Sequence, residues 1–410
     1  SAQAAQDLTW DGSTDTVWTT GTNWTTDPAT VDIADPTTTI TIPSAAFTAN
    51  QTVGVSSPDF FQLADLTIAN SAGSRTITGR LDFSDGGTIN LSGTQATTLG
   101  AFVPNESYRI QSGRTVTLNN SNNNTNNFMR NLSGAGILVI KGSTGFMTFQ
   151  ANDGFTGTIR LESGRYQQQN NGWQPASAST FQIAGGSIGA RAASTMNANV
   201  SFELENDFRW DSVNSLTIAG SVAITHATGI TIDLEGGSTN GRTISGVISG
   251  IGKSLTLKDN DSTLTFSGSA ANTYSGGTVL DNDGGGAKLI VAKDGGLGTG
   301  DVTVKSGALL TLQSGTTHNY IDDLADLLLV PGSLVNLNFT GTDIVGGLSF
   351  DGGTTFAAAG TYGSTASGAT NINDLIFSGN GTITVIPEPA SLALAGLAGL
   401  LMLPRRKRTA

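Results

Sequence analysis

The chain has 410 residues, 54 of them Gly, only 13% charged and no Cys at all. It therefore has no disulfide framework, Cys-based zinc site or thiol nucleophile. Its net charge is -12, and four of its twenty basic residues (Arg405, Arg406, Lys407 and Arg408) lie near the C-terminus, leaving a body of 16 basic against 32 acidic residues. Phosphate backbones repel so acidic a body, which excludes nucleic acid as an expected partner. At 37% hydrophobic the chain can still bury a core.

Ser1 to Gln6 is small and polar, as expected of the start of a mature secreted chain. Leu8 to Thr25, LTWDGSTDTVWTTGTNWT, holds Trp10, Trp18 and Trp24, three of the five Trp of the chain. These indoles are expected to pack as a cap within residues 1–30; the alternative is an exposed sugar-stacking platform. Beyond them, residues 31–384 read as short runs such as TITIPS, ADLTIANS and RTVTLNN, which alternate apolar with Thr, Ser or Gln and end in Gly, Asn, Asp or Ser. This is the pattern of half-buried strands. Asn119 to Asn131, NNSNNNTNNFMRN, is expected to stack as an Asn ladder in a turn. Asp322 to Val330, DDLADLLLV, is the one short helix candidate in the body.

Two stretches repeat each other. Ser133-Gly-Ala-Gly136 and Ser249-Gly-Ile-Gly252 each precede a strand, a polar turn, a strand ending in Thr-Phe, an aromatic with Ser/Thr-Gly, and a third strand. Phe155-Thr-Gly157 matches Tyr274-Ser-Gly276, and Gly296 to Leu312 is a weaker echo. Units that cannot bury their apolar face alone must stack, so the prediction is an all-β parallel β-helix. At roughly 20 to 25 residues and ~4.8 Å per coil, the body predicts ~15 to 18 coils and a rod ~75 Å long. Uncapped coil ends could add to one another by edge pairing and build fibres.

No catalytic set stands out. His226 and His318 are expected at surface or turn positions, and no metalloprotease, nucleophile-elbow or Walker motif occurs. Asp207 to Asp211 (DFRWD) and Thr231 to Glu235 (TIDLE) place paired acids on one strand face, the pattern a β-helix lyase or hydrolase would use. An acidic solvated face is the plainer reading. The turns KDNDST (Lys258 to Thr263) and DNDGGG (Asp281 to Gly286) can supply oxygen ligands to a structural Ca²⁺, although their composition is also ordinary turn chemistry. GGLGTGD (Gly295 to Asp301) nearly matches a calcium-binding nonapeptide but does not recur. No other cofactor is expected. Asn123, Asn131 and Asn338 open N-x-S/T triplets, which mean little in a chain so rich in Asn and Thr.

Residues 385–410 are of another kind. Pro387-Glu-Pro389 stays out of helix, Ala390 to Leu403 is uncharged, and Arg405 to Arg408 is a basic knot. As a helix the uncharged run would span ~21 Å against a hydrocarbon core of ~30 Å, a short transmembrane-type helix.

Ser249 to Leu280, with Leu255-Thr-Leu257 and Asn272-Thr-Tyr-Ser-Gly-Gly-Thr278, and Gly295 to Leu312 resemble the autotransporter-associated β-strand repeat. That resemblance implies a right-handed β-helix and export, and no activity. Residues 385–410 resemble the PEP-CTERM sorting signal of Gram-negative bacteria. That resemblance implies an exosortase-type processing protease, transient anchoring in the inner membrane and cleavage near Pro387, Glu388 and Pro389, with Arg405, Arg406, Lys407 and Arg408 as the membrane stop. Together they lead to the expectation of a cell-surface or extracellular-matrix structural or adhesion protein that associates with itself or with matrix polysaccharide. The alternatives are a carbohydrate-active β-helix enzyme and a carbohydrate-binding module.

Overall fold

The computed structural model describes residues 6–386 except 27, 29, 47–49, 55–58, 101–106, 143–144, 153, 212–213, 236–240, 260–261 and 283. Pro387, Glu388, Pro389, the uncharged run and Arg405 to Arg408 lie outside the described residues, as does the expected helix there.

The described chain is a parallel β-solenoid of about 12 turns. A 13-stranded sheet runs from Asp7–Thr9 to Ile248–Ser249, and a 14-stranded sheet from Gln51–Gly54 to Gly347–Ser349. An 8-stranded sheet begins at Ser194–Met196 and takes over as the first sheet ends. Between Ser194 and Ser249 the three sheets run side by side, so a turn there has three faces; beyond Ser249 the 14-stranded and 8-stranded sheets continue alone.

The alternation read in the sequence fixes which side chains enter the core. In Gly229–Leu234, Ile230, Ile232 and Leu234 are buried while Thr231 and Asp233 face outward. The register to Ser254–Asp259 sets Ile230 beside Leu255 and Ile232 beside Leu257, so like stacks on like from rung to rung. Buried Asn side chains brace the corners. Asn152 accepts from Leu132 N–H at 2.7 Å and donates to Met129 O at 2.9 Å. Such brackets satisfy backbone groups that leave the ladder at a bend. Other Asn serve the turns by conformation: Asn131, Asn170 and Asn171 hold positive φ.

The two repeats occupy equivalent places. Thr156 N–H donates to Gly134 O at 2.8 Å, and Ser275 N–H donates to Gly250 O at 3.1 Å. Phe155 and Tyr274 are both wholly buried. In each copy the S-G-x-G segment therefore lies under the aromatic-Gly segment of the following turn. A Cβ on Gly157 would meet Gly136 O at 2.0 Å, which is why that approach needs glycine.

Three expectations change. Asp322 to Val330 is no helix: Asp326–Leu329 is a strand paired with Val302–Val304 and Gly347–Ser349. Ala325, Leu327 and Leu329 are buried, a period of two that the parallel template imposes on a helix-prone composition. The coil count falls short of the estimate: about 12 turns make a rod of roughly 60 Å.

Both ends are covered, which removes the open coil edges that end-to-end fibre growth would use. At the N-terminal end Trp18 N–H donates to Gly54 O at 2.9 Å, Gly54 N–H to Thr16 O at 3.1 Å and Thr25 N–H to Thr9 O at 2.9 Å. Trp10 and Trp24 face each other as an antiparallel bridge. At the other end Gly360–Gly363 runs antiparallel to Thr382–Val385, and Ala357 N–H donates to Leu348 O at 2.8 Å. An antiparallel strand interrupts the parallel template, so simple edge-to-edge continuation of the rod is blocked where these groups are already paired.

Candidate functional site

The outward face of the 14-stranded sheet carries the paired acids. Strand alternation points Asp207 and Arg209 outward and buries Phe208 and Trp210, and Asp211, just past the strand, is largely covered by its neighbours. One rung on, Thr231, Asp233 and Glu235 face the same way. The structure thus brings the two acidic stretches side by side, and between them opens a groove of ≈ 380 Å³ lined by Asp207, Arg209, Thr231, Asp233 and Lys258 among others.

The acids are engaged with neighbours. Asp211 takes Arg165 at 2.6 Å and Arg209 at 2.8 Å, and Arg209 also pairs with Glu235. Asp207 accepts from Thr231 N–H at 2.6 Å. The register then sets Arg209 beside Asp233 and Asp233 beside Lys258, and further along Lys305 pairs with Asp281 at 3.1 Å. Opposite charges alternate rung by rung. Cross-strand pairs of this kind add ~0.2–1 kcal/mol each and penalise a slipped register. An acid–base dyad would instead need two carboxyl groups converging on one substrate position. Here Asp211 and Glu235 converge on Arg209 instead.

Arginine is held in the same way over outward phenylalanines. Arg165 lies 4.0 Å from the Phe146 ring centre, Arg130 4.8 Å from Phe128, and Arg109 3.6 Å from Phe60. On the first sheet the outward ladder is amide and hydroxyl: Asn119 donates to Asn90 at 2.8 Å, and Asn90 to Thr67 at 3.3 Å. The Asn-rich stretch therefore contributes one member, Asn119, of a stacked Asn pair, and other Asn of the stretch support turns, as where Asn122 donates to Gln95 O at 2.8 Å.

Trp10, Trp18 and Trp24 are wholly buried. Trp24 meets Trp10 edge-on at 5.0 Å and Trp18 at 6.2 Å, its N–H donates to Trp18 O at 2.9 Å, and Trp18 meets Phe61 at 5.9 Å. They close the core at the N-terminal end and offer no flat face to a sugar.

The acidic turns are likewise occupied. Asn282 accepts from Gly284 N–H at 2.8 Å and donates to Ser306 O at 3.0 Å, and Asp301 accepts from Asp326 N–H at 2.9 Å. Of KDNDST, Asn260 and Asp261 lie outside the described residues. Among the described residues no three His, Asp or Glu gather as a metal group. His226 sits in a turn 3.5 Å from Thr228 N, and His318 stacks on Phe339 at 5.1 Å; the structure places neither in a triad.

The alternation missed the ionisable groups that point inward. Arg242, Lys293 and Asp343 are all buried. Arg242 donates to Trp210 O at 3.0 Å. Burial pushes the Lys293 amine down to about 8 and the Asp343 carboxyl up to about 8. Nothing in a single sequence separates these from outward charges, since each sits in a run whose period admits either face. No family model, curated protein or solved structure matches the chain.

Proposed function

We propose that the protein is an exported structural component of a bacterial cell surface or extracellular matrix: a right-handed β-solenoid rod delivered by the sorting signal at residues 385–410. The observation that carries this reading is the succession in the tail sequence of Pro387-Glu-Pro389, an uncharged run and Arg405 to Arg408. A glutamate between two prolines, followed by an uncharged run and a basic stop, suits recognition by a membrane-embedded processing protease. The structural role draws support from the faces of the rod, where the paired charges and amides are spent on rung-to-rung contacts rather than gathered around a reaction centre.

Cell fractionation tests it. With the native sequence, the protein accumulates outside the inner membrane. The double change Pro387→Ala with Pro389→Ala, or removal of residues 387–410, leaves it unprocessed in the membrane or released without sorting. Identical distribution of all three forms would refute the reading.

A further inference from the structure

Lys293 is the most deeply buried lysine among the described residues. Its side chain is 3% exposed. Its Nζ reaches back across two turns, donating to Asn272 Oδ1 at 2.8 Å and to Gly246 O at 3.3 Å. Gly296 makes room: a Cβ there would meet Val291 Cγ1 at 2.3 Å and Lys293 Cγ at 3.4 Å.

Asn272 is held from every side. Its Oδ1 accepts from Ile248 N–H at 2.9 Å, and its Nδ2 donates to Gly296 O at 2.6 Å. The homologous bracket Asn152 is fixed by backbone alone, with contacts to Leu132 N–H and Met129 O. The Lys293 contact is thus an addition to the bracket rather than a requirement of the bend.

We propose that Lys293 and Asn272 are the site of an autocatalytic isopeptide bond that joins two successive turns of the solenoid. Lys293 first gives up its ammonium proton to solvent. The lone pair of Nζ then adds to Cγ of Asn272, forming the new C–N bond and placing the negative charge on Oδ1. Ile248 N–H already points at that oxygen and stabilises the charge there. On collapse the Cγ–Nδ2 bond breaks, Nδ2 takes a proton from the attacking nitrogen, and ammonia leaves. The net change is one amide and one amine exchanged for one secondary amide and one ammonia, with no oxidant or cofactor.

Two physical terms favour the step. Burial pushes the amine down to about 8, so a useful fraction is neutral and nucleophilic near physiological pH. The reacting groups are held together by the fold, which replaces a bimolecular encounter with an effectively intramolecular one. The link would resist peeling of one turn from the next, a fitting property for a rod stacked from repeats.

Mass spectrometry of the purified full chain tests this. The intact mass is expected to fall short of the sequence by one ammonia, with the fraction converted rising on incubation at about pH 9, above the lowered amine value. Trypsin, blocked at Lys293, would release Asp259–Lys288 covalently joined to Leu289–Lys305. Lys293→Arg and Asn272→Ala abolish both signals. Asn272→Asp, which keeps the shape of the bracket, removes the loss of ammonia. An intact mass equal to the sequence after prolonged incubation of the folded wild-type chain, with no joined peptide, overturns the proposal irrespective of how the variants fold.

Discussion

Asp343 makes the C-terminal end of the rod sensitive to pH. It lies in Thr342–Val345, points inward with Val345, and is wholly buried. Its one described side-chain bond accepts from Ile321 N–H at 3.2 Å. Burial outweighs the bonds from backbone N–H groups and pushes the carboxyl from its ordinary 3.8 to about 8. Between those values the folded end keeps a proton that the opened end has lost. The stability that Asp343 contributes is therefore greatest below pH 3.8, falls as pH rises, and levels off above about 8. The slope is ~1.4 kcal/mol per pH unit, and the whole window is worth on the order of 5 kcal/mol. In a solenoid this penalty falls on the terminal unit and its neighbour rather than on the whole rod. Hydrogen exchange of the full chain from pH 5 to 8, corrected for intrinsic rates, reads it directly. Amides of Thr342–Val345 and Thr382–Val385 should lose up to ~10-fold protection per pH unit, while those of Gly229–Leu234 should not. In Asp343→Asn the slope should vanish, whatever constant cost the amide brings. Equal slopes in both proteins would refute the reasoning.

The other perturbations differ in where they act. Trp24→Ala removes the indole between Trp10 and Trp18 and should cost ~3–5 kcal/mol, seen as early proteolysis of the first turns while the central rungs stay resistant. Asn152→Ala leaves Leu132 N–H and Met129 O unpaired in the interior and should cost on the order of 2–3 kcal/mol, read as faster exchange in Asn127–Arg130. Asp211→Asn weakens contacts to Arg165 and Arg209, both partly solvated, so a loss of ~1 kcal/mol or less in urea unfolding should shrink further at ~1 M salt.

Much of the fold was legible because the rule that makes strands of TITI, RTVTLNN and GITIDL is local: a period of two with β-branched residues between Gly and Asn turns. The repeats at Ser133 and Ser249 added the stacking. DDLADLLLV misled because leucine and alanine favour helix, and only its neighbours one turn away make it a strand. The Trp cluster marked a cap at the N-terminal end but not its backbone partners, and the cover at the C-terminal end was not legible, since contacts such as Trp18 to Gly54 and Ala357 to Leu348 depend on how the chain winds. The acids of DFRWD and TIDLE share a face as read, but the Arg165 that meets Asp211 was not legible, because it lies 46 residues away and reaches it only through the winding of the chain. Lys293 and Asp343 gave no signal, as a charged residue in an alternating run is normally taken to face water.

The sorting claim is tested most directly by the intact mass of the protein recovered from outside its native cells. The account predicts a chain ending near Pro387 to Pro389, with the solenoid alone as the working unit. A mass that retains Arg405 to Arg408 would contradict it and make the tail a standing membrane anchor.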